Sequence, residues 1–357
     1  MQSIRIRYLT TTVLLGTLAT GRADAQARWT TLDEFLTRGI GLNAQELGAL
    51  GRGETVARLL PTGDGRDIAV FGAVQMNVPR SFFVDRQRDV ARSLRTPTRT
   101  QVQAFSDPAR ATDVQGLDLT GDDLKELRGC RPNSCTFKLP ATDMDRVRST
   151  IASGSDTRSR VAAYAGERMV EYVNDYRSRG NAAMLVYDDR GSVRSSDALM
   201  ALLRDSSHVF SAVPSLGRHL IEYPRSTLPD ATEVIFWSHD EMPRLRRVLR
   251  VTHQTMYSPP ERTDLTVIAG KQIYANHYFE AGLEVLAAVD RVVTGAASEA
   301  RGITVVATRR YRFDHLPGGG LLNIRGRVAN GLRENVLADL KRLKRDTETE
   351  WGARSNR

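Results

Sequence analysis

Lysine is scarce in this 357-residue chain: Lys125, Lys138, Lys271, Lys341 and Lys344 are five of 51 basic residues, and arginine supplies the rest. The arginines run along the whole chain, although the formal net charge is +9. A nucleic-acid binder gathers its positive charge on one face or in a tail, so nucleic acid is not expected as a partner. Dispersed arginine reads as a solvated surface, with weak attraction to an anionic envelope surface as the remaining electrostatic role. Long apolar runs are missing too. The longest, Leu9 to Ala19, falls short of the about 20 residues that span a bilayer, so no membrane span is expected. No Gly-x-Ser-x-Gly elbow, His-Glu-x-x-His, phosphate loop or dinucleotide glycine pattern occurs, and neither cofactor nor metal is expected.

The first 25 residues carry positive information. Arg5 and Arg7 precede the Leu9–Ala19 stretch, and Ala23-Asp24-Ala25 follows with small residues two apart. That order reads as a secretion signal cut after Ala25, which places the mature protein in the periplasm or outside the cell. Cysteine is rarer than lysine. Cys130 and Cys135 flank a Pro-Asn turn, and in an oxidising compartment such a pair reads as a disulfide closing a tight loop. A zinc site would need further ligands, and no histidine lies within seventy residues of the pair.

Beyond the leader, residues 26–53 read as an N-terminal helical segment, with Asn43 capping a helix that ends at Gly51 and Gly53. Glu54–Leu60 and Asp67–Val78 alternate around Gly63-Asp64-Gly65, as a β-hairpin does. A helix from Pro79 to Leu94 and a short strand at Gln101–Phe105 come next. Residues 107–225 read as a helical insertion, its clearest element running from Asp156 to Arg179 with Gly180 as the stop. Strands return at Glu233–His239, Arg247–Tyr257, Leu265–Val289 and Ile303–Phe313. The third of these is too long for one strand, so a turn or bulge is expected near Gly282. Turn signals stand at Met242-Pro243 and around Gly295, and Pro317-Gly318-Gly319-Gly320 precedes a helix from Leu321 to about Thr349. Ile324, Val328, Leu332, Val336, Leu340 and Leu343 form its apolar stripe, and Gly326 and Gly331 within it imply a close neighbour.

The fold class read from this order is α+β. A curved antiparallel sheet of about seven strands grips the terminal helix, in one domain over residues 54–357 that carries the insertion. The order, borne by Glu54–Leu94 and Glu233–Thr349, resembles the START-related, helix-grip superfamily known as SRPBCC. Residues 107–225 depart from it, being longer and more helical than that superfamily's usual middle. The resemblance implies a cavity for an apolar or amphipathic small molecule such as a lipid, and brings no catalytic signature. The segment Ala269–Phe279 also resembles an uncharacterised class of exported bacterial proteins.

With the hairpin loop placed at Ser258–Asp264, Tyr257 stands opposite Leu265 and His253 near Ala269. One face of that hairpin then carries Thr252, Gln254, Met256, Gln272, Tyr274, Asn276 and Tyr278. These are the candidate ligand-binding residues, because polar groups in a dry core each cost about 1–3 kcal/mol when unpaired, whereas an amphipathic cavity uses them. The same face could instead be the solvent side of the sheet. In this register His253 and His277 lie about 26 Å apart. His239, Arg247 and His277 form a possible polar cluster at the other end. Three functions stay open: a non-catalytic small-molecule binder, a cyclase- or hydrolase-type enzyme using His239, His277, Tyr274 or Tyr278, and an envelope interaction module working through the insertion.

Overall fold

A computed structural model describes Trp29 and residues 31–152, 156–241, 246–292, 301–315 and 324–355. The leader with Ala25, the Met242-Pro243 and Gly295 turn signals and the Pro317–Gly320 loop lie outside these residues.

The chain opens with a short helix α1 (Leu32–Glu34), a wide turn at Phe35–Gly39 and α2 (Ala44–Gly51). Asn43 and Glu46 close a capping box on α2, each side chain bonding the other's backbone N–H. The hairpin β1 (Val56–Leu60) and β2 (Asp67–Met76) follows, then α3 (Arg80–Arg88) and α4 (Val90–Ser93). The single helix expected there breaks at Asp89, whose side chain accepts from Arg92 N–H and starts a new helix. Strand β3 (Arg99–Ala104) precedes an insertion made of α5 (Gly121–Gly129), α6 (Ala141–Ala152), α7 (Thr157–Arg179), the two-residue strands β4 (Val186–Tyr187) and β5 (Val193–Arg194), α8 (Ser195–Asp205), α9 (Ser207–Phe210) and α10 (Pro214–Glu222). Four long strands come next: β6 (Thr232–Asp240), β7 (Val248–Tyr257), β8 (Leu265–Ala275) and β9 (Phe279–Val292). After β10 (Arg301–Phe313), α11 (Ile324–Ser355) completes the chain's described part.

The architecture is α+β. One open antiparallel sheet runs β1-β2-β10-β9-β8-β7-β6-β3, and α11 packs on β2 and β1. The sheet has eight strands rather than seven because the long third segment divides in two. It divides at Asn276–Tyr278, not at Gly282. Asn276 uses its side-chain oxygen and its N–H to hold Leu249 and gives its carbonyl to Lys138 N–H, while Tyr278 adopts φ 62°. Such a φ is rare for a side chain as large as tyrosine and belongs to a tight turn.

A second departure shifts the β7–β8 register. Tyr257 pairs with Val267 and His253 with Lys271, two positions from the expected partners. Val251 pairs with Tyr274 but Thr252 with Gln272, so Ile273 is an extra residue on β8. A bulge of this kind turns later side chains over. Ile273 and Tyr274 therefore both face the insertion, whereas Gln272 faces the other side.

The sheet is buried on both faces. The insertion covers one, where Tyr172, Val173 and Tyr176 of α7 and Leu199, Leu202 and Leu203 of α8 meet Trp237, Val251, Ala269 and Ile273. α11 covers part of the other, with Leu332, Val336 and Leu340 buried, whereas Ile324, expected in the same stripe, is 39% exposed. The close approach implied at Gly331 is absent, since a Cβ there would meet nothing within 4 Å. It occurs at Gly72 of β2 instead, where a Cβ would stand 2.6 Å from Val336 and 2.7 Å from Leu340. Cys130 and Cys135 are joined in a disulfide at the end of α5. Among the described residues no helix is long and apolar enough to cross a membrane.

Candidate ligand cavity

Between the sheet and α11 a cavity of about 200 Å³ remains. Strand alternation builds its floor: Arg250, Thr252 and Gln254 of β7, Glu284 and Leu286 of β9, and Ala307, Arg309 and Tyr311 of β10 lie two apart. Gly270 leaves a dent among them, because it brings no side chain to the face where Thr252 and Glu284 stand. Leu332, Leu340 and Leu343 of α11 form an aliphatic roof, and Arg86 and Gln87 of α3 with Arg92 of α4 close one side.

The floor carries a buried ion-pair network. Arg250 donates to Glu284 at 2.6 Å and lies 3.2 Å from Asp240. Arg99 binds Asp240 with two bonds of 2.9 and 3.2 Å, and Tyr311 Oη donates to Glu284 at 2.7 Å. Arg309 pairs with Asp339 of α11 at 2.8 Å, tying helix to sheet. Burial by itself would raise the carboxyl groups of Asp240 and Glu284, but Arg99 and Arg250 outweigh it and hold both below their ordinary range. The network therefore stays charged at neutral pH. Buried ion pairs are weak stabilisers compared with well-packed hydrophobic groups, so stability alone is a poor reason for this floor.

Several polar atoms in and beside this face have no hydrogen-bond partner: Thr252 Oγ1, both amide atoms of Gln272, Gln87 Nε2 and Arg86 Nη1. Each such buried group costs about 1–3 kcal/mol.

The candidate residues separate into groups. Thr252 and Gln254 line the cavity. Met256 shares their face by alternation, and Gln272 sits beside Gly282 and Tyr311. Tyr274 is turned away by the bulge. It faces a smaller apolar cavity of about 70 Å³ inside the insertion and donates to Lys138 O. Asn276 and Tyr278 build the β8–β9 turn, where the Tyr278 hydroxyl accepts from Arg246 N–H. His239, Arg247 and His277 surround the 118–136 segment, each on a different partner: Gln101, Asp118 and Asp123 respectively. No hydrogen bond or ring contact joins the two histidines among the described residues. Burial, with Arg247 nearby, pushes His239 down to about 4. The two residues after the disulfide loop meet His277: Thr136 O accepts at its Nδ1 and Phe137 packs against its ring.

On the insertion side the structure adds a second polar group that the sequence reading did not assemble. Glu233 takes His219 at 2.6 Å, Thr255 at 3.2 Å and His253 at 3.3 Å. Tyr176 Oη lies 2.9 Å from His253 Nδ1. Lys271 is fully buried beside them, held by Asn181 Oδ1 and Leu220 O at 3.2 Å each and by the rings of Tyr223 and Tyr176. Burial lowers Lys271 to about 7 and His253 to about 4. The signal available in the sequence was a lysine centred in an otherwise uncharged strand, one of only five lysines in the chain. Among the described residues no group of three or more His, Cys, Asp or Glu is placed to hold a metal ion.

Compared with protein-family models, curated proteins and solved structures, the chain gives no match.

Proposed function

We propose that the protein is an exported binder of a small amphipathic molecule, held without chemistry between the sheet and α11. The observation that carries this reading is the cavity of about 200 Å³ with an ionic floor, an aliphatic roof and unpartnered polar atoms in its wall. A ligand with one polar and one apolar end fits such a lining, because the charged floor matches one end and the aliphatic roof the other. The element order that resembles the helix-grip superfamily supports it. The Cys130–Cys135 disulfide is compatible with an oxidising compartment, which supports a periplasmic or secreted location. The residues named for an enzyme are less favourable. Both ring nitrogens of His277 meet protein acceptors, and the Tyr274 and Tyr278 hydroxyls are bonded to backbone atoms.

Native mass spectrometry of protein purified from its own host tests the reading. A bound species of a few hundred daltons is expected, and stripping it should lower the melting temperature by RT ln(1 + [L]/Kd) converted to degrees. A homogeneous apo mass, with no thermal shift on adding amphiphiles, would count against it.

A further inference from the structure

Resting on that binding reading, we infer that the ligand's polar end is an acid group, carboxylate or phosphate, seated on the α3–α4 side of the cavity. Charge is uneven along the lining. The inner guanidinium groups of Arg99, Arg250 and Arg309 are matched by Asp240, Glu284 and Asp339. At the α3–α4 side the match fails. Glu350 is the single carboxylate on which Arg86, Arg92 and Arg354 all lean, at 3.3, 2.8 and 3.2 Å. Arg95 stands on the same side, exposed and with no hydrogen bond or ion pair among the described residues. Two carboxylates of the lining lie outside the inner network: Glu241 is exposed, and Asp346 is paired with Arg345. The unpartnered atoms on this side are all donors. Arg86 Nη1 and Gln87 Nε2 are adjacent in α3, buried, and without an acceptor. An anionic group supplies acceptor oxygens for both and balances the surplus charge, and charge-assisted bonds of this kind are about twice as strong as neutral ones. A neutral alcohol would leave the charge unbalanced, and an amine would add donors where donors are already in excess. The aliphatic chain then lies along Leu332, Leu340 and Leu286.

The test uses ligand-stripped full-length mature protein and four probes that share one octyl chain: nonanoate, octyl phosphate, octanol and octylamine. Isothermal titration at pH 7.5 should give nonanoate or octyl phosphate at least tenfold tighter binding than octanol, with octylamine weakest. Whichever anion binds better assigns carboxylate or phosphate. The anionic advantage should shrink as salt is raised. It should also disappear in Arg86→Met/Gln87→Leu, with a cooperative thermal melt showing that the variant is folded. Equal affinity for the alcohol and the acids would overturn the acid assignment and leave the binding reading standing. Binding of none of the four would overturn both. If the double variant fails to fold, the comparison on unmodified protein still decides.

Discussion

Lys271 shows how far one residue can stand from its solution behaviour. Its ammonium group is buried among Tyr176, Tyr223 and two carbonyl-type acceptors, and the charge of Glu233 acts on it. The histidines of the same cluster, His219 on α10 and His253 on β7, add no negative charge. The folded pKa of about 7 lies below the ordinary 10.5, so the unfolded chain binds the extra proton between those values. Stability must therefore rise with pH from 7 upward, by about 2 kcal/mol between pH 7 and 9. Chemical denaturation at the two pH values checks this, and Lys271→Met should flatten the slope. An unchanged slope in the variant would place the titrating group elsewhere. His253 sets the acid side. Its folded value of about 4 lies below the ordinary 6.5, so the neutral form's contribution is present above pH 6.5 and lost as pH falls towards 4. The midpoint denaturant concentration should fall over that window, and a flat profile from pH 6.5 to 4 would contradict the buried neutral imidazole.

At the scale of the element, the seat of α11 is a single missing side chain. Gly72 admits Val336 and Leu340 against β2, so Gly72→Ala forces the helix outward and should cost about 1–3 kcal/mol, as overpacking does. Gly331 has open space around its Cα, so Gly331→Ala should gain up to about 1 kcal/mol from helix propensity. Thermal melts of the two variants should move in opposite directions, and a loss in Gly331→Ala would mean that a neighbour lies there after all. The sequence pointed to a glycine-mediated contact but placed it on the helix, because periodicity reports one element and never its partner. The same limit explains the rest. Alternation gave β1 and β2, and β-branched and aromatic enrichment gave β6, β7 and β10, each within a few residues, and the capping pattern gave Asn43. The extra residue at Ile273 and the turn at Asn276–Tyr278 were not legible, since each is fixed by cross-strand and insertion contacts such as Asn276 with Leu249 and Lys138. That turned a single candidate row into two: Thr252, Gln254 and Gln272 beside the cavity, Tyr274 beneath the insertion. The charged floor was hidden for a similar reason. Arg250, Glu284 and Arg309 come from three strands, and only the sheet order β10-β9-β8-β7 brings them together.

At the scale of the whole molecule, the sheet works as a partition between a cavity and a packed core. α11 leaves the larger space on one face, whereas the insertion packs most of the other with Tyr172, Val173, Tyr176, Leu199 and Leu202. It is also bonded there. Tyr172 Oη donates to Ile273 O, Lys138 N–H to Asn276 O, and Tyr176 Oη meets His253. An insertion that served only as a docking module could be removed without harm to the fold. Here removal would uncover Trp237, Leu249, Val251, Val267, Ala269 and Ile273 as one apolar face, and strip the partners of Lys271 and His253. An exposed face of that kind drives aggregation. Replacing residues 107–225 by a short Gly/Ser linker should therefore give aggregated or dye-binding protein rather than a lean binder. A monomeric, cooperatively melting product would instead mark the insertion as an accessory, and would favour the interaction-module function.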